Sequence, residues 1–155
     1  MTTDITEISD IFSIFHDGVI AKCEQDNDFV LLHIGCMYLA ERINKDFDSF
    51  LLKIHHFQNL ELKTWPRESD NESRIIDDIN IIFLTELDIY RSEVKNNMPF
   101  VYVGQNSDHS LDYVGGDLVF SCSGVEIFDQ DKNPISYHNL VTVCKSYWDD
   151  FENRK

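Results

Sequence analysis

Residues 19–36 read VIAKCEQDNDFVLLHIGC, and this stretch decides the fold. In its first part, Val19 to Glu24, odd-numbered side chains point to one face and even-numbered side chains to the other. Gln25 to Asp28 are polar and form a turn, after which Phe29 to Cys36 is apolar on both faces. A period of two is typical of a β-strand, and a doubly apolar run is typical of a strand covered on both sides. The stretch therefore predicts two strands joined by a short turn.

The same pattern recurs along the chain, with turn signals close enough together to indicate an antiparallel meander. Phe50 to His55 alternates, and a strand from Leu60 to Trp65 ends at Pro66, which lacks the N–H that a ladder needs. Further strands are predicted at Ile81 to Glu93, at Phe100 to Val103, and at Leu118 to Phe128 with a bulge at Ser123-Gly124. Two polar stretches, Arg67 to Ser73 and Gly104 to Asp117, are interpreted as surface loops.

Helical spacing of apolar residues occurs near both ends of the chain. Thr3 to Phe15 and Met37 to Asn44 show it, and Ser136 is a suitable N-cap for a helix that runs to about Phe151. The apolar stripe of this last helix consists of Leu140, Cys144, Tyr147, Trp148 and Phe151. We therefore predict a single α+β domain over residues 1–155. It has about seven or eight antiparallel strands and a C-terminal helix packed on the sheet.

The charge of the chain limits the classes of partner. The chain contains 13 Lys and Arg residues and 28 Asp and Glu residues, which gives a net charge of −15. Binding to nucleic acid draws its affinity from clustered cations, so nucleic acid is excluded as the expected partner. Anionic membrane surfaces are disfavoured for the same reason. A basic protein remains the partner that this charge suits best.

Targeting signals and cysteines indicate a cytoplasmic protein. Residues 1–10 contain no basic region followed by an apolar run, so no secretory signal is predicted. The four cysteines, Cys23, Cys36, Cys122 and Cys144, form no C-x-x-C pair, and each lies in an apolar run. We expect them to be reduced and mostly buried.

Catalytic and metal-binding signatures are missing from the sequence. His55 and His56 are adjacent on a predicted strand, so they point to opposite faces and cannot chelate one ion. The D-x-D-x-D-G calcium pattern, the G-x-S-x-G nucleophile pattern and phosphate-binding glycine loops do not occur. We therefore expect no enzymatic activity, no catalytic residue, no bound metal and no cofactor.

An acidic surface with an aromatic residue beside it is the remaining candidate for function. Such a surface accelerates association with a basic partner and disfavours other partners. Trp65 is predicted to point away from the core, because Leu60 and Leu62 on the same strand point inward, and Trp is a common interface anchor. The predicted partner-binding residues are Trp65 with Glu68, Asp70, Glu72, Asp77, Asp78, Asp108, Asp112 and Asp117. A further acidic group, Asp149, Asp150 and Glu152, lies in the predicted C-terminal helix and just after it.

Three short strings carry a resemblance to a known group: FHDGVI at 15–20, GGDLVF at 115–120 and SYW at 146–148. They resemble small acidic bacterial immunity proteins of toxin–immunity systems, of the contact-dependent inhibition type. The resemblance implies a cytoplasmic protein that occludes the active site of a cognate toxin, often a basic nuclease. It transfers no catalytic residue to this chain.

Two alternatives stay open at the level of the sequence. One is a small hydrolase or ligand-binding module with its site around the 104–117 loop, where Asp108, His109 and Asp112 occur. The other is a homo-oligomer in which Trp65 or an open sheet edge is buried between copies.

Overall fold

The computed structural model describes residues 1–68, 72–106 and 111–154, and within them the chain forms four helices and ten strands. The helices are α1 (Ile5–Ile14), α2 (Met37–Ile43), α3 (Ile79–Ile82) and α4 (Tyr137–Asn153). The strands are β1 (Val19–Gln25), β2 (Phe29–Gly35), β3 (Ser49–His55), β4 (Gln58–Pro66), β5 (Ile75–Ile76), β6 (Leu87–Lys95), β7 (Met98–Gln105), β8 (Tyr113–Ser121), β9 (Gly124–Phe128) and β10 (Pro134–Ile135).

All strand pairs are antiparallel, and the strands follow the order β10-β9-β3-β2-β1-β6-β7-β8-β4-β5 in one sheet. This arrangement confirms the predicted α+β class. The strand count exceeds the prediction because β5 and β10 are two-residue edge strands and because Leu118 to Phe128 is divided between β8 and β9.

A corner joins two parts of this sheet. β3 and β4 are separated only by residues 56–57, and β8 and β9 only by residues 122–123, yet β3 pairs with β9 while β4 pairs with β8. At the corner the Ser123 N–H donates to the His55 carbonyl at 2.9 Å, and His56 adopts a φ of 50°. The irregularity predicted at Ser123-Gly124 is therefore this corner, at which the chain passes from one ladder to the next.

Helix α1 lies on the inner side of the curved sheet and forms the centre of the core. Its Phe12 contacts Phe120 of β8 edge to face, with ring centroids 5.7 Å apart, and its Phe15 contacts Phe50 of β3 at 5.0 Å. These four rings are fully buried. Asp4 is the N-cap of this helix, and its carboxylate accepts the N–H groups of residues 6 and 7. One short helix thus links strands that are distant in the sheet order.

Helices α2 and α4 complete the layer of helices on the sheet. Ser136 caps α4 as predicted, its hydroxyl accepting the Asn139 N–H at 3.0 Å. Leu140 is buried, whereas Tyr147 and Trp148 are half-buried against Tyr38 of α2. In the described part of the chain, none of the helices combines the length and the apolar character that crossing a membrane requires.

Three local predictions are wrong. The strand expected from Ile81 begins only at Leu87, because Asp78 caps the short helix α3 and this turn occupies the preceding residues. The loop expected over Gly104 to Asp117 is shorter, since β7 extends to Gln105 and β8 begins at Tyr113.

The third wrong prediction concerns the faces of β1. A bulge at Ala21 adds one residue to this strand, so Ile20 and Cys23 lie opposite the inward-facing Ile34 and Leu32 of β2. Odd and even residues therefore exchange faces after Ile20.

The contact between α1 and the sheet can be tested by truncating Phe12. Phe12→Ala is expected to lower the free energy of unfolding by about 3–5 kcal/mol, because a large buried ring is replaced by a cavity. Urea denaturation monitored by circular dichroism measures the change. Leu84→Ala, at a side chain that is 77% exposed, serves as the control and should change stability by less than about 0.5 kcal/mol. Equal losses for the two variants would contradict a central role for α1.

Candidate interaction surface

The outer surface of β4, β8, β7 and β6 carries a group of aromatic residues, which we name the aromatic face. Its rows follow from the strand register. In one row Trp65 pairs with Gly115, Gly115 with Gly104, and Gly104 with Asp88. The next row consists of Lys63, Asp117, Tyr102 and Arg91 in the same strand order. Trp65 points outward, as the alternation of β4 predicted.

Three aromatic rings lie side by side on this face. The Trp65 and Tyr90 rings are nearly parallel, with 6° between their planes and 6.3 Å between their centroids. The Tyr102 ring is 6.2 Å from Trp65 and inclined by 25°. Trp65 Nε1 donates a 2.9 Å hydrogen bond to Asp117 Oδ1, which fixes the orientation of the indole. Trp65 is half-buried, while Tyr90 is 50% exposed.

Two glycines provide the room that these rings need. A Cβ atom at Gly115 would lie 3.1 Å from Trp65 Cε3 and would overlap the Val103 carbonyl oxygen. A Cβ atom at Gly104 would overlap the phenol end of Tyr90. The two glycines are paired across β7 and β8, so together they form a shallow floor beneath Trp65 and Tyr90. Trp65 Cε3 and the phenol end of Tyr90 therefore lie close to the glycine backbone, while Tyr90 stays 50% exposed and Trp65 is half-buried.

Tyr102 differs from its two neighbours because charged side chains of β6 cover it. The Arg91 guanidinium lies 4.7 Å from its ring centroid, and the Lys95 ammonium lies 5.7 Å from it. The Tyr102 hydroxyl donates to Glu93, which also contacts Lys95 at 3.1 Å. The hydrogen bonds from Tyr102 and then from Lys95 lower the pKa of Glu93.

The acidic residues predicted nearest to Trp65 lie at one end of the aromatic face. Asp112 forms a 2.9 Å ion pair with Arg74, and the hydrogen bond from this guanidinium lowers the pKa of Asp112. The backbone N–H of Arg67 donates to the backbone carbonyl of Asp112 at 3.0 Å. This hydrogen bond joins the segment after β4 to the segment before β8. Glu68 and Glu72 are exposed in the same region of the chain.

The remaining predicted acids are divided among other places. Asp78 caps α3 by accepting the Asn80 N–H at 2.9 Å. Asp77 instead lines a separate cavity of about 280 Å³ with Asp26 and Asp28 of the β1–β2 turn. Asp70 and Asp108 lie outside the described residues, as does His109 of the hydrolase alternative. The nine predicted residues therefore do not form one site. Trp65 and Asp117 are in direct contact, and Asp112 immediately precedes β8 at the end of the strand where Pro66 pairs with Tyr113.

Four residues of this surface were not predicted from the sequence: Tyr90, Tyr102, Gly104 and Gly115. The alternation of β7 carried a usable signal, because Tyr102 lies between the inward-facing Val101 and Val103. No such signal existed for Tyr90, which occupies a bulge where the β6–β7 register shifts between Ile89 and Arg91. Only the strand pairing places this ring over Gly104.

The other chemically active side chains are engaged in local contacts. His33 lies 2.9 Å from Glu24, His55 lies 2.6 Å from Glu126, and His56 Nδ1 lies 2.7 Å from the Ser123 hydroxyl. Within residues 1–68, 72–106 and 111–154, no group of three or more His, Cys, Asp or Glu residues is arranged to hold a metal ion.

The described cysteines are free thiols with reduced acidity. Burial raises the pKa of Cys23 to about 11 and that of Cys36 to about 12, and it also raises the pKa of Cys122 and Cys144. At neutral pH these groups carry their proton. Because the thiolate is the nucleophilic form, they are poorly suited to nucleophilic catalysis.

Comparisons with protein-family models, with curated proteins and with solved structures found no match for this chain.

The glycine floor can be tested by adding one methyl group. Gly115→Ala is expected to lower the free energy of unfolding by about 1–3 kcal/mol, because the new Cβ overlaps the Val103 carbonyl and displaces Trp65. It should also change the fluorescence of Trp65. Gly35→Ala is the matched control in the same sheet, since its Cβ would meet its nearest neighbour, the Val19 carbonyl oxygen, at 3.9 Å. Equal behaviour of the two variants would contradict the close contact at Gly115.

The hydrogen bond between Tyr102 and Glu93 predicts a pH effect. The pKa of Glu93 is lowered in the folded state, so the ionised carboxylate stabilises the fold above its unfolded pKa of about 4.5. This stabilisation is lost as the pH falls through the lowered pKa. Tyr102→Phe should therefore raise the Glu93 pKa toward 4.5, as followed by NMR titration of the side-chain carboxyl group.

A second tyrosine provides the control for this titration. Tyr137→Phe removes a similar hydrogen bond, which the Tyr137 hydroxyl donates to Asp10 at 2.6 Å, and should leave the Glu93 pKa unchanged. If Tyr102→Phe also left it unchanged, the assigned cause would be wrong.

Proposed function

We propose that this chain is a non-enzymatic cytoplasmic binding protein of the bacterial toxin–immunity type. It binds a basic toxin domain through the aromatic face and the acidic residues beside it. The observation that carries the proposal is the pair of nearly parallel rings, Trp65 of β4 and Tyr90 of β6, which meet over the glycine pair of β7 and β8 and remain partly exposed. Trp and Tyr are enriched among the residues that dominate protein–protein binding energies.

The rigidity of these rings supports binding. Trp65 is oriented by its hydrogen bond to Asp117, and both rings belong to strands that are paired with a neighbour on each side. A side chain that is already ordered loses little conformational entropy when a partner covers it. The aromatic face is therefore suited to act as the centre of an interface.

The surrounding charge supports a basic partner. Glu68, Glu72 and Asp112 are exposed near the end of β4 and the start of β8, next to Trp65 in the sheet. The net charge of −15 adds long-range attraction for a cationic protein, which raises the association rate. For a nuclease toxin, these carboxylates would occupy the positions of substrate phosphates. The partner would be inhibited because its nucleic-acid site is covered.

The proposal is tested by co-expressing the chain with basic domains encoded next to its own gene and measuring the affinity of any complex. Trp65→Ala should raise Kd by about 30-fold or more, since truncating a central aromatic anchor costs about 2 kcal/mol. Trp148→Phe is the matched control, because Trp148 lies on α4 and is packed against His16. This variant should bind as the wild type does. In cells that express the basic toxin domain, the protection given by each variant should follow its affinity.

Two outcomes would contradict the proposal. One is a complex whose affinity is the same for Trp65→Ala as for the wild type, which would place the interface elsewhere. The other is sedimentation that shows a homodimer dissociated by Trp65→Ala, which would assign the aromatic face to self-association. The electrostatic component requires in addition that the association rate of the wild type falls as salt is raised.

A further inference from the structure

We infer that the aromatic face recognises an arginine side chain of the partner, whose guanidinium group lies flat on Trp65 and Tyr90. This inference rests on the proposed function and specifies the chemistry of the contact. It starts from a difference among the three rings of the face.

The Tyr102 ring is already covered by cationic side chains of the same chain, whereas the Trp65 and Tyr90 rings are not. Arg91 and Lys95 of the chain itself lie over Tyr102. Among the described residues, no Lys or Arg side chain lies over Trp65 or Tyr90. The exposed parts of these two rings are therefore open to a cation from another molecule. Indole is also the strongest cation–π acceptor among the aromatic side chains.

Carboxylates stand at both ends of this pair of rings. Asp88 lies in the same row as Trp65, at the opposite end, with Gly104 and Gly115 between them. Asp117 lies in the next row and contacts the indole nitrogen through one of its oxygens. A guanidinium group carries five N–H donors in one plane, so it can stack on the rings and still donate to a carboxylate at the rim.

The local charge balance favours arginine over lysine as the occupant. The aromatic face carries three cations and four acids, namely Lys63, Arg91 and Lys95 with Glu61, Asp88, Glu93 and Asp117. Electrostatic attraction to this face is therefore weak and would not discriminate between arginine and lysine. Stacking on the rings would favour arginine over lysine, because the guanidinium is planar and weakly hydrated whereas the ammonium is a compact, strongly hydrated charge. A nucleobase is also planar, but the net charge of −15 opposes a polyphosphate chain.

The test uses the full chain carrying Trp148→Phe, in which Trp65 is the only tryptophan and its fluorescence reports on the face alone. Hexa-arginine and hexa-lysine are titrated at about 0.15 M salt, where long-range attraction is screened. Hexa-arginine should bind at least about threefold more tightly and change the Trp65 emission, which is the scale of an exposed cation–π contact. Adding Tyr90→Ala removes one of the two rings and should reduce this preference while leaving the weak affinity for hexa-lysine.

Controls separate the stacking contact from a general effect of mutation. Tyr147→Phe, on α4, should preserve the preference for hexa-arginine. Equal affinities of the two peptides, or a preference that Tyr90→Ala leaves unchanged, would overturn the inference. So would tighter binding of a single-stranded oligothymidine than of hexa-arginine.

The outcome is distinguishable from the fate of the proposed function. If Trp65→Ala weakens the complex with a basic domain but the peptides show no preference, only the arginine contact is wrong. If the peptides show the preference but no basic domain binds, the contact stands and the toxin–immunity function fails.

Discussion

The corner at residues 56–57 and 122–123 is the constraint on which the rest of the structure depends. It allows the same two chain segments to pair twice, as β3 with β9 and as β4 with β8. Because β3 is also connected through β2, β1, β6 and β7 to β8, the sheet must curve back toward itself. The curvature creates an inner side that α1 fills with Phe12 and Phe15. The core and the outer face are consequences of one bend.

The aromatic face follows from this bend and from two glycines. β4 is the neighbour of β8 only because the corner turns the chain there, and this pairing sets Trp65 beside Gly115. The Gly104–Gly115 pair then leaves space that the Trp65 and Tyr90 rings occupy. Glycine usually weakens a strand, since it has no side chain to pack. Here large aromatic rings from neighbouring strands cover the glycine positions and restore the missing contact.

The net charge of −15 is not distributed evenly over the surface. The excess of acids lies mainly outside the aromatic face, whose own cations and acids are nearly balanced. Several carboxylates have structural tasks: Asp4 and Asp78 cap helices, Asp112 pairs with Arg74, and Asp117 orients Trp65. The long-range field and the short-range contacts of the proposed interface therefore come from different residues.

The sequence by itself determined the fold class and much of the secondary structure. Alternation of apolar residues is a local property of a strand, so it identified Phe50 to His55 as a strand and placed Trp65 outward. The Ser136 cap and the start of α4 were equally local. Charge and composition, which need no structure, indicated a basic partner in place of nucleic acid.

Only the tertiary structure decided which of these residues meet. The bulges at Ala21 and Tyr90 shift the faces of β1 and β6, and such an extra residue depends on the partner strand. Tyr90 and Trp65 are 25 residues apart in sequence, so no local pattern relates them. Their contact exists because the bend of the sheet places β4 and β6 on either side of a glycine pair. Pairing across strands is a property of the whole chain, and it created the surface that the sequence had indicated through Trp65 alone.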